Sequence, residues 1–300
     1  RRQRQMCIRD RTYTIQPNDN FFNVKELLKL KFQISDRLLV KLKKNKKIWL
    51  NSTPTFVNSR LKPFDIVEIL IDFEEKSENI IPTQMDLNII YEDEYYIVIN
   101  KPSGIAIHPS ILHYTDSLAN GVKFYFEQKN IKKKIRPINR LDKDTSGIVI
   151  FAKNEYIQEF LVKEMKKNTF FKEYIAVCEG IFESKIGTIN LPIGRKENSI
   201  IERCVCSNGD IAITHYNVLK SLKNTSVVHV TLETGRTHQI RVHLSNIGHP
   251  ILGDTLYGNP SSVINRQALH AYKVKFIHPI TGLNVEYIAT IPSDIKSIIK

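Results

Sequence analysis

Arg140, Asp142, Asp144, Thr145 and Ser146 crowd into one short stretch, Arg136-Pro137-Ile138-Asn139-Arg140-Leu141-Asp142-Lys143-Asp144-Thr145-Ser146-Gly147. It runs straight into Ile148-Val149-Ile150-Phe151-Ala152. The apolar run reads as a buried strand, because it is short, β-branched and bounded by a glycine. Charges at the mouth of a buried strand are costly unless they pair or do chemistry. The plain alternative is a polar loop whose Asp and Thr side chains satisfy backbone groups. A carboxylate in this setting can act as a nucleophile at a sugar carbon. An arginine beside it keeps it ionised at neutral pH and fixes its direction. A second dense stretch, Leu232-Glu233-Thr234-Gly235-Arg236-Thr237-His238-Gln239-Ile240-Arg241-Val242-His243-Leu244, carries two further arginines, Arg236 and Arg241, whose plain reading is a coated helix. Between the two, Tyr174 sits on a strand-like segment, and a buried tyrosine can relay a proton. These residue types point to chemistry at a sugar–base bond of a polyanion.

Other chemistries find less support. His238, His243 and His249 lack the i, i+4 pair with an intervening Glu that a zinc hydrolase uses, so no metal is expected. Cys7, Cys178, Cys204 and Cys206 make no zinc spacing, and read as packing thiols of a reducing cytoplasm. Neither a Walker loop nor a dinucleotide-binding glycine pattern is present, and no cysteine nucleophile has plausible partners, so the chain reads as cofactor-free. No apolar stretch is long enough to span a bilayer, and no secretory pattern is visible, so a cytoplasmic location without membrane contact is expected. The net charge of +13 and a pI near 9.4 favour polyanions, nucleic acid above all. Residues 1–11 hold five arginines against one acid without periodicity. They read as a non-native leader and are set aside; the rest of the chain stays basic.

The elements that must position these groups follow from the apolar spacing. Residues 12–73 suggest a small unit. A strand at Tyr13-Thr14-Ile15 precedes a helix over Asn23–Phe32, and Ser35-Asp36 caps a second helix with Leu38, Leu39 and Leu42 inward. Lys41, Lys43, Lys44, Lys46 and Lys47 then place five lysines in seven residues, before strands at 48–52 and 65–70. The plain reading of that run is a solvated face. Residues 74–86 read as a linker. From 87 to 300, strands are predicted at 87–91, 96–100, 148–152, 172–178, 186–194, 212–220, 226–233, 269–274 and 285–289. Helices are predicted at 117–126 and 155–167. The 232–244 stretch fits an alternating strand or a helix with Ile240, Leu244 and Ile247 on one face. The helix is favoured because Gly235 and Gly248 punctuate both ends. Scattered helices among many strands indicate an α+β fold with a mixed, largely antiparallel sheet.

Six segments, in order, carry a resemblance. Asn100-Lys101-Pro102-Ser103-Gly104, Arg140-Leu141-Asp142-x-x-Thr145-Ser146-Gly147, Lys172-x-Tyr174, Thr234 to His243, Gly248 to Asp254, and Leu269-His270-Ala271 resemble the RluA-type pseudouridine synthases, which include the ribosomal large-subunit enzymes. The likeness runs from about Leu87 to the C-terminus. Residues 12–73 resemble, more weakly, the S-four type of RNA-binding domain that many members carry. The resemblance implies a pseudouridine synthase fold in residues 87–300 and an isomerase that needs no cofactor. It implies RNA as substrate, ribosomal RNA by family habit, and a monomer. Asp142 would be the catalytic aspartate, attacking ribose C1′ or the uracil ring, or assisting loss of a ribose proton. Tyr174 would relay or accept the C5 proton, and Arg241 would pair with Asp142. Arg140 would fill the space left by a flipped uridine. Arg236 would hold phosphate or help close the site, and Lys41, Lys43, Lys44, Lys46 and Lys47 would contact RNA.

One departure stands out: the family usually has His where this chain has Asn139. An amide cannot titrate near neutral pH. If the position is structural, activity survives, which is the expectation here. Asn139 is also the one sequence feature favouring a catalytically silent RNA-binding or ribosome-assembly protein. A glycosidic hydrolase would need a water-activating base beside the nucleophile, and no second carboxylate is clearly placed for it.

Overall fold

The computed structural model describes residues 11–75, 79–167 and 169–300. The chain opens with β1 (Arg11–Thr14), then α1 (Val24–Leu30) and α2 (Asp36–Lys44). Asn23 and Ser35 start the two helices by accepting the backbone N–H of Glu26 and of Leu38. The helices bury Val24, Leu27, Leu28, Leu38, Leu39 and Leu42. Beside them lies a four-stranded sheet made with β2 (Ile48–Leu50), β3 (Thr53–Pro54) and β4 (Ile66–Ile69), in the order β1-β4-β2-β3. Most of the leader expected at 1–11 lies outside the described residues. Arg11, the last residue of that stretch, begins β1, and its guanidinium donates to Pro279 O (2.9 Å).

The larger part begins with β5 (Ile89–Glu92), β6 (Tyr96–Lys101), α3 (Leu118–Gln128), β7 (Arg136–Pro137), β8 (Ser146–Ala152) and α4 (Glu155–Lys166). It continues with β9 (Phe171–Glu179), β10 (Ile186–Asn190), β11 (Ile193–Arg195), β12 (Arg203–Val205), β13 (Ile213–Ser221) and β14 (Thr225–Leu232). It ends with α5 (Gln239–Asn246), β15 (Leu269–Ile277), β16 (Asn284–Ile288) and α6 (Ser293–Ile299). Ten strands form one mixed sheet along the path β10-β13-β14-β9-β15-β8-β6-β5, with β16 on β15 and β7 on β8. β8 and β15 pair in parallel; the other pairings are antiparallel. The expected α+β class with a mixed, largely antiparallel sheet is what the chain adopts.

β8 is the spine. All seven of its residues are buried, and each apolar side chain of this size contributes about 1.5–3 kcal/mol on full burial. Gly147 makes the parallel contact with β15 possible. Its φ is +117°, and a Cβ there would come within 2.2 Å of the Ala271 carbonyl oxygen. The strand expected over 186–194 is divided in two, because Pro192 cannot donate to a ladder. The second piece, β11, instead forms a separate two-stranded ribbon with β12. The two parts of the chain share one apolar cluster, which joins Leu38, Leu39 and Leu42 to Tyr156, Ile157 and Leu161.

The start of the segment read as a linker is not free. The Glu75 side chain, 9% exposed, lies between Arg136 (2.8 Å) and Lys41 (2.7 Å). Lys41 thus departs from the lysine run. It lies three residues after Leu38, at the flank of the apolar stripe, and folds over the Phe73 ring toward Glu75 and Glu155. Lys43, Lys44 and Lys46 are exposed, and Lys47 is half-buried.

Candidate active site

The loop bearing Asp142 is launched from β8 by an amide. β7 pairs with the far end of β8, and Ile138 N still donates to Ile150 O (2.7 Å). The side chain of Asn139 then takes over the ladder. Its Nδ2 donates to Ile148 O (2.8 Å), and its Oδ1 accepts from Ile150 N (3.0 Å). Asn139 is buried, so these bonds hold the chain where it leaves the sheet. Beyond it, Thr145 N closes a turn onto Asp142 O (3.1 Å).

The loop is gripped through its carbonyls. Lys101, fully buried, donates from Nζ to Lys143 O (2.8 Å), Pro102 O (2.8 Å) and Ile105 O (2.9 Å). Burial pulls its pKa down to about 7. Gly104 N also donates to Lys143 O, while Ser103 Oγ and Arg266 share Asp144 O. Gln267 donates to Thr145 Oγ1 (3.2 Å). With the backbone fixed from below, the Asp142 carboxylate, 26% exposed, faces a cavity of about 760 Å³.

Arg241 reaches that carboxylate from α5. Arg236 N and Thr234 Oγ1 both donate to Gln239 Oε1, and Gln239 Nε2 donates to Ile213 O and Thr214 Oγ1, which ties the helix start to β13. The 232–244 stretch is thus helical where a helix was favoured, over Gln239–Asn246. One turn in, Arg241 donates from NH1 to Asp142 Oδ2 (3.0 Å). Its other edge is clamped by Asp254, from Nε to Oδ2 (2.6 Å) and from NH2 to Oδ1 (2.8 Å). Asp254 is 1% exposed and also accepts the N–H groups of Leu256 and Tyr257. The guanidinium lies over the Tyr257 ring, 5.0 Å from its centroid. Burial opposes its charge, but Asp254 and then Asp142 outweigh burial and raise its pKa.

His238 completes this corner. It precedes α5 in a left-handed conformation, φ +57°. Tyr257 Oη accepts the Arg203 N–H (2.8 Å) and lies 2.7 Å from His238 Nδ1. Burial holds the imidazole below its ordinary pKa, so it is neutral at pH 7, and the phenol is left to donate to Nδ1. The ring hydrogen then belongs on Nε2, 3.8 Å from Asp142 Oδ1. Asp142 is thus addressed by a cation on one oxygen and a neutral imidazole near the other.

Tyr174, on β9, lines the same cavity. Burial first, then the charge of Asp142, raise its pKa, so it is a protonated phenol at neutral pH and not a phenolate base. Arg140 is exposed at the rim. Arg236 lines the cavity too, held from Nε to Ile211 O (3.0 Å). Asp144 lies in the loop but does not line the cavity, nor does any lysine of the 41–47 run. The structure therefore brings Asp142, Tyr174, Arg241, Arg140 and Arg236 together and leaves the lysines elsewhere. Asp254, Tyr257 and His238 were missed as functional residues. The only sequence signal for Asp254 is its place at the end of the Gly248 to Asp254 segment. His243 and His249 serve packing. His243 bonds Thr214 Oγ1 and Leu191 O, and His249 stacks on Phe182 at 3.8 Å. Among the described residues, no group of three or more His, Cys, Asp or Glu could hold a metal ion. No helix among them is long and apolar enough to cross a membrane.

A family model described as RNA pseudouridylate synthase matches residues 95–246. An uncharacterised RNA pseudouridine synthase of Bacillus subtilis, YhcT, is 39% identical over 91% of this chain and 90% of its own length. Ribosomal large subunit pseudouridine synthase D of Blochmanniella floridana is 36% identical, over 85% of this chain and 86% of its own. Among solved structures, human RNA pseudouridylate synthase domain containing 1 superposes with a TM-score of 0.57 and 28% identity. That match covers 68% of this chain and 83% of the human one.

Proposed function

The chain belongs to the RNA pseudouridylate synthase family, and on that premise we propose that it isomerises uridine to pseudouridine in ribosomal RNA, with Asp142 as the reacting group. Ribosomal RNA is chosen because relatives such as the Blochmanniella protein bear that name. The carrying observation is the Arg241 fork. It bridges Asp142 to the buried Asp254 at a cavity that Tyr174 also lines.

In this reading the target uridine leaves its stack and enters the 760 Å³ cavity. Arg140, exposed at the rim, fills the gap in the stack. Asp142 attacks ribose C1′ or the uracil ring, or assists loss of a ribose proton. Uracil detaches, rotates and rejoins through C5, so a carbon–carbon glycosidic bond replaces the carbon–nitrogen one. Arg241 keeps Asp142 aimed. The C5 proton departs through Tyr174. With its pKa raised, that phenol suits a relay, which gives up one proton as it takes another, better than a free base. No cofactor is required by these steps.

Asn139 was the reason to consider a catalytically silent protein. Its two bonds to β8 give it a structural task that needs no titratable group, which supports the active reading. We assign RNA contact to the N-terminal unit as well, as an S-four-like domain over residues 12–73. Lys43, Lys44 and Lys46 support this by standing exposed on one run. The protein is proposed to act as a cytoplasmic monomer.

The test is Asp142→Asn, assayed on an unmodified transcript of bacterial large-subunit ribosomal RNA by chemical mapping of pseudouridine. Wild type should modify specific uridines, and the variant should bind the RNA without product. A variant that still forms pseudouridine would remove Asp142 from the chemistry. Free uracil released by wild type would point to a hydrolase.

A further inference from the structure

The β11–β12 ribbon carries a charge arrangement that the reaction described above does not use. Arg195 and Arg203 are directly opposite each other in its antiparallel register. Like charges in that position are destabilising, and nothing on the ribbon offsets them. Among the described residues, neither guanidinium has an acid partner. One nitrogen of Arg203, NH1, is buried with no hydrogen bond at all. A buried donor left unpaired is destabilising, the more so when it is charged.

Both arginines line a second cavity, of about 400 Å³, beside the one that holds Asp142. Arg140 and Arg236 line its other side, so four arginines share one space. The only acid there is Asp210, whose side chain is 73% exposed and 3.5 Å from Arg236. The ribbon is seated firmly. Ile193 and Asp210 exchange backbone bonds of 2.9 Å, and Gly209 packs so close that a Cβ would come 2.5 Å from Ile193 C. Tyr257 Oη, which accepts the Arg203 N–H, also meets His238 beside Asp142. The cationic cavity is therefore rigidly attached to the catalytic corner.

We propose that this cavity seats a backbone phosphodiester of the RNA strand next to the flipped uridine, with Arg195 and Arg203 gripping it from the ribbon and Arg236 from the facing loop. The anion resolves the cross-strand repulsion and supplies the missing acceptor for Arg203. Arg140, shared by both cavities, then stands between the seated phosphate and the vacated stack. The proposal rests on the reading of the chain as an RNA-modifying enzyme.

The experiment measures binding of the unmodified large-subunit ribosomal RNA transcript to wild type, R195A, R195K, R203A and R203K across a salt series. Each alanine variant should weaken binding several-fold at low salt. Each should also flatten the slope of log K against log salt, by at most about 0.7, the value for one single-strand phosphate that is no longer neutralised. The lysine variants should keep most of the slope, since charge is retained. Arg195 is exposed, so R195A tests the seat even if R203A is poorly folded. Unchanged affinity and slope in R195A would overturn the proposal. So would equal losses in R195A and R195K, which would mark a packing role. Pseudouridine formation by wild type is mapped on the same transcript. Product with an unchanged R195A slope refutes the seat alone. No product with a flattened slope supports the seat and refutes the assigned reaction.

Discussion

Replacing Asp254 by Asn should cripple catalysis while leaving RNA binding nearly intact. Asp254 is 1% exposed and accepts four hydrogen bonds, two from Arg241 and one each from Leu256 N and Tyr257 N. An amide offers one oxygen and a pair of donors. If its oxygen stays at the Oδ1 position, the NH2 group faces Arg241 Nε, donor against donor. If it flips, the NH2 group faces three donors: Arg241 NH2, Leu256 N and Tyr257 N. Either way the fork is lost: in the first orientation Arg241 keeps one bond to the amide oxygen beside its bond to Asp142, and in the second only the bond to Asp142. Removing one partner of a buried pair costs about 3–5 kcal/mol. Asp142 still neutralises part of the charge, so the low end applies, about 3 kcal/mol in urea unfolding.

Two effects on Asp142 oppose each other. Freed from Asp254, Arg241 can pair more fully with Asp142, which tightens that one contact. But the guanidinium plane is then no longer fixed by a two-pronged clamp, only by the Tyr257 ring and single hydrogen bonds. Loss of direction dominates, because a reacting group misplaced by about 1 Å can cost about 100-fold. The kcat should therefore fall by about two orders of magnitude with KM changed much less. The assay is single-turnover tritium release from RNA labelled at uridine C5, beside direct RNA binding. A folded D254N variant with kcat within about threefold of wild type would refute the argument that Asp254 aims the fork. A loss confined to RNA affinity would refute it equally.

Asn139→Leu leaves Ile148 C=O and Ile150 N–H unpaired and should cost about 2–5 kcal/mol of stability; an unfolding midpoint like that of wild type would deny Asn139 its place in the ladder. His270 is fully buried beside Ser146 Oγ (2.9 Å), and burial lowers its pKa to about 4 from 6.5. The unfolded chain therefore binds a proton in this window that the folded chain refuses. Stability is complete above about pH 6.5 and falls as the pH drops toward 4, by up to about 3 kcal/mol. Urea titrations at pH 7 and 4.5 should show a smaller loss for His270→Gln than for wild type, and equal losses would refute this. Replacing Lys43, Lys44 and Lys46 with Gln should flatten the salt dependence of RNA binding by about 0.7–0.9 for each phosphate they neutralise, whereas an unchanged slope would leave that run a solvated face.

The groups proposed to react could be singled out in the sequence because each lies in a segment that resembles the family. Asp142 also precedes an apolar run that reads as a buried strand, and Tyr174 lies on a strand-like segment. Arg241 belongs to a stretch whose flanking glycines decided between helix and strand. What holds these groups was not visible, because it depends on register. Arg241 meets Asp142 across 99 positions of chain and Asp254 across 13, and no spacing rule links those numbers. The opposed arginines of the ribbon were hidden for the same reason. Arg195 and Arg203 face each other only because Pro192 splits the segment that looked like one strand. Lys41 was misplaced because a lysine count cannot tell a solvent-facing position from one at the edge of an apolar stripe.

These hidden interactions share a logic. The loop under Asp142 is immobilised by buried groups: Asn139 through β8, and Lys101, Arg266 and Gln267, none of these three lining the cavity, through carbonyl and hydroxyl oxygens. The groups assigned to RNA are instead exposed or left unpaired: Arg140, Arg195, Arg203 and Lys43. Fixing the first set in advance keeps the carboxylate aimed without drawing on substrate binding. Leaving the second set unsatisfied makes the polyanion itself the missing partner. Binding energy from the strand can then offset the unstacking of the uridine. By this logic, damage to the cavity floor should appear in kcat, and damage among the free arginines should appear in RNA affinity and its salt dependence.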